Sequence, residues 1–196
     1  MKLYEMTRLS LFATLGAVLM VTLSIPIMPS APFLRYNPGD VMVILASVSL
    51  GPWGGVMAAI MKNVLVFLMR GSNPIGLMMN FIATAALAVV VGYIFRFRPG
   101  LPGLLTGGSL GALLAAAVMI PANLLVVPFL HGIPYDVVLS MILPVYIPFN
   151  LLKGAISTGL AIPLFLALRP MLLKGRVGRP LTPPGPSPRS SAGHRI

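Results

Sequence analysis

The sequence contains no cysteine and very few acidic residues, and each shortage excludes a class of functional site. Without cysteine, a disulfide framework, a thiolate nucleophile and a cysteine metal site are all excluded. The three acidic residues are Glu5, Asp40 and Asp136, and the two histidines are His131 and His194. We expect all five to lie outside the membrane interior, so the sequence predicts neither a metal site nor an acid–base pair for catalysis.

Charged side chains of either sign are also scarce. They make up 9% of the chain, whereas hydrophobic residues make up 57%, and the mean hydropathy is +0.96. Soluble domains carry about a quarter charged residues, and a soluble fold could not bury so much apolar surface. The composition therefore predicts a polytopic membrane protein. Its 196 residues fit one compact helical bundle, because each span takes roughly 20 residues.

Six apolar segments predict an all-α membrane protein with six transmembrane helices. We predict an N-terminus at 1–8, a six-helix membrane domain at 9–174, and a disordered Pro- and Arg-rich tail at 175–196. The second and third segments are short and joined by a tight turn at 51–55, so a shallow hairpin is an alternative to a spanning pair. The segments are 9–28, 41–52, 56–69, 75–95, 101–130 and 145–168.

The distribution of basic residues indicates how the bundle is oriented. The net charge is +11, but the Lys and Arg residues lie at helix ends and in the tail, which argues against a nucleic-acid partner. With the N-terminus inside, ten of these residues lie on the cytoplasmic side, and two, Arg35 and Arg70, lie outside. This positive-inside bias predicts a protein of the plasma membrane with both termini in the cytoplasm.

The strongly polar residues within the apolar segments are few and lie at similar depths. At 1.5 Å per residue, five of them lie about 8 to 10 Å from the outer ends of their segments, and Asn150 lies one turn above Lys153. Lysine near the bilayer centre costs roughly 2.5 to 3.5 kcal/mol, so it usually lines a cavity or has a partner. We predict an outward-facing polar layer that binds a ligand, the alternative being asparagines that only join helices and lysines that snorkel. The group is Lys62, Asn63, Asn80, Asn123, Asn150 and Lys153.

Two outer loops, at 29–39 and 129–144, could cover such a pocket. In the first loop, Asp40 follows an Asn-Pro-Gly turn and is predicted to cap the second helix, because its carboxylate can accept the N–H groups of the first turn. A loop anchored in this way would hold Arg35 and Tyr36 near the pocket mouth.

Small residues in two helices allow alternative interpretations. The sequence at 107–111 matches G-x-S-x-G, so Ser109 could be the nucleophile of an intramembrane serine protease, although it lacks a general base. The same glycines form a GxxxG packing face, which is the simpler explanation. Ala13 and Ala17 in the first helix form a similar small-residue pair.

Four short motifs remain to be explained, and they are YNPGD at 36–40, LGPWGGV at 50–56, KN at 62–63 and PFNLLKG at 148–154. With these motifs the chain resembles the riboflavin-specific substrate-binding (S) component of energy-coupling factor (ECF) vitamin transporters. The resemblance covers roughly residues 5–170, and it implies a six-helix binder, not an enzyme, that captures vitamin from outside beneath the first outer loop. In that family the S component docks, through alanines that match Ala13 and Ala17, onto a transmembrane coupling (T) component driven by two cytoplasmic ATPases.

The resemblance also implies which residues contact the ligand. Asn123, Asn150 and Lys153 match the family positions that hydrogen-bond the flavin ring, and residues near Asp40 and Asn80 line the site less directly. We include Tyr36, Lys62 and Asn63 in the expected site from the first loop and the polar layer. No cofactor is expected apart from riboflavin as the transported ligand. An anionic vitamin such as biotin or pantothenate is an alternative, because two lysines could hold a carboxylate.

Overall fold

The computed structural model describes residues 3–29, 31–32 and 34–173, so the predicted tail at 175–196 lies outside the described residues. The helices are almost continuous from one end of this part to the other, and residues 3–8 belong to the first helix instead of preceding it. In chain order the elements are α1 (Leu3–Thr22), β1 (Ile25–Pro26), β2 (Arg35–Tyr36), α2 (Gly39–Leu50), α3 (Pro52–Arg70), α4 (Pro74–Phe97), α5 (Leu101–His131), α6 (Tyr135–Met141), a π-helical segment (Ile142–Tyr146) and α7 (Ile147–Leu173).

The predicted all-α membrane fold of six helices is confirmed. In the described part, five helical units are long and apolar enough to cross a membrane, namely α1, α3, α4, α5 and the continuous unit from Tyr135 to Leu173, while α2 is a shorter apolar helix. The sixth helical unit begins at Tyr135 and not at 145. The prediction failed there because Pro144 is typical of a loop, whereas the structure continues the helix through it as a π-helical segment.

Helix α2 forms the centre of the bundle. All of its residues except Leu50 are buried, and it contacts α1, α3, α4 and α7. A helix that is hydrophobic on every side belongs in the core, and its 12 residues extend only about 18 Å at 1.5 Å per residue. Helix α3, with 19 residues, is long and apolar enough to span, which favours a span over the shallow-hairpin alternative for α3. The chain that precedes α2 enters the bundle, since Tyr36 and Asn37 are buried.

Helices α1 and α2 approach each other through two glycines. A Cβ atom added to Gly39 would lie 2.3 Å from the carbonyl oxygen of Gly16, and one added to Gly16 would lie 3.3 Å from the Lys62 side chain. A side chain at Gly39 would therefore overlap the backbone of α1, and only glycine permits this approach. The contact fixes α1 directly beside the start of α2.

The GxxxG sequence of α5 is a packing face. A Cβ atom at Gly107 would lie 3.0 Å from the Cα atom of Val91, and one at Gly111 would lie 3.0 Å from the carbonyl oxygen of Leu87. These contacts bring α5 onto α4. Ser109 lies between the two glycines but is exposed on the outside of the bundle, so the structure favours packing over the protease alternative.

The small-residue pair of α1 also faces inward. Ala13 and Ala17 are fully buried, so in this structure they pack α1 against the bundle and leave no surface for another protein to contact. The two side chains at which docking was predicted are therefore not exposed in this structure. The exposed face of α1 in this region consists of Ser10, Leu11, Thr14, Leu15 and Val18.

Candidate functional site

A cavity of about 420 Å³ lies between the helices at the end of the bundle that carries the α1–α2 and α3–α4 connections. Its volume falls within the range of roughly 300 to 1,000 Å³ that is typical of small-molecule sites. Most of the walls are apolar, and a few amide and charged groups converge on the space. The apolar wall residues include Leu34, Leu77, Met79, Met119, Val127 and Phe149.

Three buried charged side chains, which we call the charge cluster, meet at the inner end of the cavity. Asp40 pairs with Lys62 through Oδ1, and its Oδ2 lies 3.0 Å from Nζ of Lys153. Thr84 donates to Asp40 Oδ1 at 3.0 Å, and Lys62 also donates to Asn80 Oδ1 at 3.1 Å. Buried charges are tolerated when they are paired and hydrogen-bonded: Asp40 is paired with both lysines, and its Oδ1 is hydrogen-bonded as well.

The two lysines of the cluster occupy different positions. Lys153 lines the cavity, whereas Lys62 lies behind Asp40 and is 0% exposed. With both ammonium groups protonated, two positive charges and one carboxylate leave a net charge of +1 on the cluster. The cavity therefore meets a positively charged donor at its inner end, supplied by Lys153.

Asp40 does not cap α2, so that prediction is wrong. Pro38 is the residue before the helix, and no side chain accepts a hydrogen bond from its first turn. The expectation that Asp40 lies outside the membrane interior is wrong as well, since its side chain is 1% exposed within the bundle. The Asn-Pro-Gly turn suggested that Asp40 caps the helix. The two lysines at one depth indicated a different role for it more strongly, because buried lysines require a counter-ion.

Two asparagines of the predicted layer present acceptors to the cavity. The side-chain NH₂ of Asn123 donates to the backbone oxygen of Met119 at 2.6 Å, and that of Asn150 donates to the oxygen of Tyr146 at 2.8 Å. A backbone carbonyl can only accept, so the amide orientation is fixed and each Oδ1 is left for a ligand. Asn80 is oriented the other way, since its Oδ1 accepts from a cluster lysine and its NH₂ remains available.

Besides Asp40 and Lys62, two predicted site residues do not line the cavity. The Asn63 amide donates to the backbone oxygen of Ala59 in its own helix at 2.8 Å, and Asn63 does not line the cavity. The Tyr36 side chain is buried beside Asp40 and Ser157 and is also absent from the cavity walls. Burial raises the pKa of the Tyr36 phenol, so this group stays neutral.

Asn37 is a site residue that the sequence did not indicate. It lines the cavity and is 3% exposed, and its buried Oδ1 has no hydrogen-bond partner among the residues that the structure describes. A buried, unpaired acceptor is unfavourable unless a ligand pairs with it. The sequence showed Asn37 only as part of a turn, and its position beside the cavity depends on how the first outer loop enters the bundle.

Two arginines, which we call the rim, line the outer part of the cavity. Arg35 donates to the hydroxyl and backbone oxygens of Ser24 at 3.0 and 2.6 Å, and Arg70 lies 3.4 Å from the backbone oxygen of Val21. Val21 and Ser24 lie at the C-terminal end of α1, where carbonyl groups lack helical partners and basic side chains are favourable. The rim thus holds the outer loop and α3 against α1.

Comparison with known proteins places the chain in a family. The family described as "ECF transporter, substrate-specific component" matches residues 4–165. The chain is 27% identical to the riboflavin transporter RibU of Staphylococcus aureus over 167 residues, covering 82% of this chain and 87% of that protein. It is 27% identical to the riboflavin transporter FmnP of Bacillus subtilis over 186 residues, covering 90% of this chain and 97% of that protein.

A solved structure supports the same assignment. The S component of a bacterial ECF transporter superposes on the chain with a TM-score of 0.74 and 27% sequence identity. The match covers 86% of this chain and 97% of that chain, and therefore the whole helical bundle contributes to it. The chain belongs to the family of substrate-specific (S) components of ECF transporters.

Proposed function

We propose that this S component binds riboflavin in the cavity and captures it from outside the membrane for uptake. The observation that carries the proposal is the pattern of hydrogen-bonding groups on the cavity wall. Asn123 and Asn150 present acceptors, and Lys153 presents a donor beside them. The pyrimidine edge of riboflavin has one N–H donor between two carbonyl acceptors, so it can donate to one asparagine oxygen and accept from Lys153, while a hydroxyl of the ribityl chain can donate to the other asparagine oxygen. The names of the similar transporters support the same ligand.

The apolar walls suit the rest of the flavin. The dimethylbenzene end of riboflavin has no hydrogen-bonding atoms. Around the polar groups of the cavity wall lie methionine, leucine, valine and phenylalanine side chains, which can contact that end. The anionic alternative rested on two lysines without a counter-ion. Because Asp40 pairs with both of them, the lysines do not require a carboxylate from biotin or pantothenate.

The proposal is tested by titrating the purified protein with riboflavin and following the quenching of flavin fluorescence. Replacing Asn150 with alanine removes one acceptor, and we expect the affinity to fall by about 1 to 3 kcal/mol. Asn63→Ala is the matched control, because Asn63 bonds within its own helix, and it should leave the affinity unchanged. A wild-type protein that fails to quench riboflavin, or that prefers biotin or pantothenate, would refute the assignment.

The proposed orientation places the cavity on the outside. Arg8, Arg96, Arg98 and Arg169 lie near the helix ends opposite the cavity, and the positive-inside rule assigns that end to the cytoplasm. Both termini would then be cytoplasmic. Labelling of single cysteines introduced at position 72 and at position 99 checks this, since a membrane-impermeant reagent applied to intact cells should reach only the first.

An S component depends on an energising module, and we propose that the T component of that module docks on the exposed face of α1. The proposed docking surface therefore consists of Thr14 and its exposed neighbours, and not of Ala13 and Ala17, which are buried. Thr14→Trp should abolish riboflavin uptake into cells that contain the T component and its two ATPases while leaving binding intact. Leu113→Trp on the exposed surface of α5 is the control, and equal loss of uptake in both variants would exclude α1 as the docking face.

A further inference from the structure

We propose that Asp40 is a positioning residue that holds the Lys153 ammonium at the inner end of the cavity and is itself fixed from behind by Lys62 and Thr84. The proposal rests on the proposed function, because the affinity for riboflavin is one of its readouts. Asp40 acts through Lys153 and does not line the main cavity itself. Asp40 is therefore expected to affect ligand binding although it does not contact the ligand.

The geometry of the carboxylate supports this role. Its Oδ1 accepts from Lys62 and from Thr84, so the orientation of the carboxylate is fixed by two other helices. The remaining oxygen, Oδ2, lies 3.0 Å from Nζ of Lys153. Lysine has a flexible four-carbon stem with many rotamers, and one fixed anion at its tip selects a single position for the charge.

The ammonium group retains free hydrogen-bonding capacity in that position. It has three donors, and Asp40 faces only one side of it, while Lys153 is 7% exposed and lines the cavity. The remaining donors are therefore available to acceptors on the ligand. Asp40 also divides its attraction between two lysines, so the charge of Lys153 is only partly neutralised and can still attract a carbonyl or ring nitrogen.

Lys62 gives a way to separate positioning from folding. In Asp40→Asn, two buried lysines lose their shared counter-ion, which lowers stability and also releases Lys153. In the double variant Asp40→Asn/Lys62→Met, the rear lysine is gone, so the cluster again carries a net charge of +1, as in the wild type. This variant should recover its melting temperature while Lys153 still lacks the carboxylate that places it.

The experiment measures the melting temperature without ligand and the riboflavin affinity of the same purified variants. We expect the double variant to melt close to the wild type and to bind riboflavin about 10- to 100-fold more weakly, as expected when a charged hydrogen bond is lost. If its affinity recovers together with its melting temperature, Asp40 only neutralises charge and the proposal is overturned. Asp136→Asn is the matched control, since Asp136 is an exposed acid at the start of α6.

A double-mutant cycle with Lys153→Met tests whether Asp40 acts through Lys153. In the Lys153→Met background, exchanging Asp40 for asparagine should change the affinity by less than about twofold, because the residue it positions is absent. Equal effects in both backgrounds would overturn the proposal.

Thr84→Val provides a milder variant that keeps the charges, and it should weaken binding several-fold if the orientation of the carboxylate matters.

The outcomes distinguish this proposal from the proposed function. A wild type that does not bind riboflavin refutes the ligand assignment. The pairing of Asp40 with Lys153 is tested separately by the melting temperatures of the same cycle without ligand, where the two substitutions should be strongly non-additive. Additive changes in melting temperature would refute the positioning role whatever the ligand is.

Discussion

The charge cluster and the rim lie at opposite ends of one cavity, and they are held in opposite ways. In the cluster, Asp40 and Lys62 are almost completely buried, and each charge has another side chain as its partner. In the rim, Arg35 and Arg70 are exposed and donate to backbone oxygens at the end of α1. Solvent and salt weaken the rim interactions but not those of the cluster. The effect of a charge in this protein is therefore expected to depend on its burial, and substitutions along the cavity test that comparison.

The largest effect is expected at the centre of the cluster. Asp40→Asn leaves two buried lysines without a counter-ion, and breaking a buried pair in this way costs about 3 to 5 kcal/mol of stability. Lys62→Met should cost clearly less, because Asp40 remains paired with Lys153. Thermal unfolding of the unliganded variants in detergent measures the difference. Equal losses for the two variants would mean that the cluster is not organised around its carboxylate.

An intermediate effect is expected at Asn37, which lies along the cavity wall. Its unpaired, buried Oδ1 should pair with bound ligand, so Asn37→Ala should weaken riboflavin binding by about 1 kcal/mol. The same substitution removes an unsatisfied acceptor from the unliganded protein, so the melting temperature without ligand should not fall. Fluorescence titration and thermal unfolding check the two halves separately. A lower melting temperature with unchanged affinity would show that Asn37 has only a structural role.

The smallest effects are expected at the rim. Arg35→Ala and Arg70→Ala remove exposed side chains that bond to the end of α1, and each should change the affinity for neutral riboflavin by less than about 0.5 kcal/mol. Titrations at low and high salt would show whether any residual effect is electrostatic, because salt screens exposed charges. A loss as large as that expected for Asn150→Ala would contradict the proposed difference between the two ends of the cavity.

The fold was more predictable from the sequence than the site was. Long apolar segments are unambiguous in a membrane protein, so the helices could be identified one by one. The start of the sixth helical unit was missed because Pro144 favours a loop locally, whereas the structure continues the helix through it as a π-helical segment. Local sequence could not show which tertiary contacts would override it.

The polar layer was visible because its lysines and asparagines interrupt apolar segments at similar depths. The sequence did not show that Asp40 is the partner of the two lysines. Asp40 lies at a turn, and its pairing depends on α2 lying at the centre of the bundle. The small-residue pair at Ala13 and Ala17 was found, but its burial against the bundle was not predicted. The pattern small-xxx-small indicates close packing without indicating whether the neighbour belongs to the same chain.

The contact between Gly16 and Gly39 has a mechanical consequence. Where larger side chains separate two helices, they can change rotamer when a helix shifts. Between Gly16 and Gly39 one backbone lies directly against another, so this contact has no side chain that could absorb a shift of either helix. A displacement of α1 would therefore move Gly39, and Asp40 is the next residue along the chain. The helix on which we expect a partner to act thus contacts the residue that precedes the charge at the inner end of the cavity.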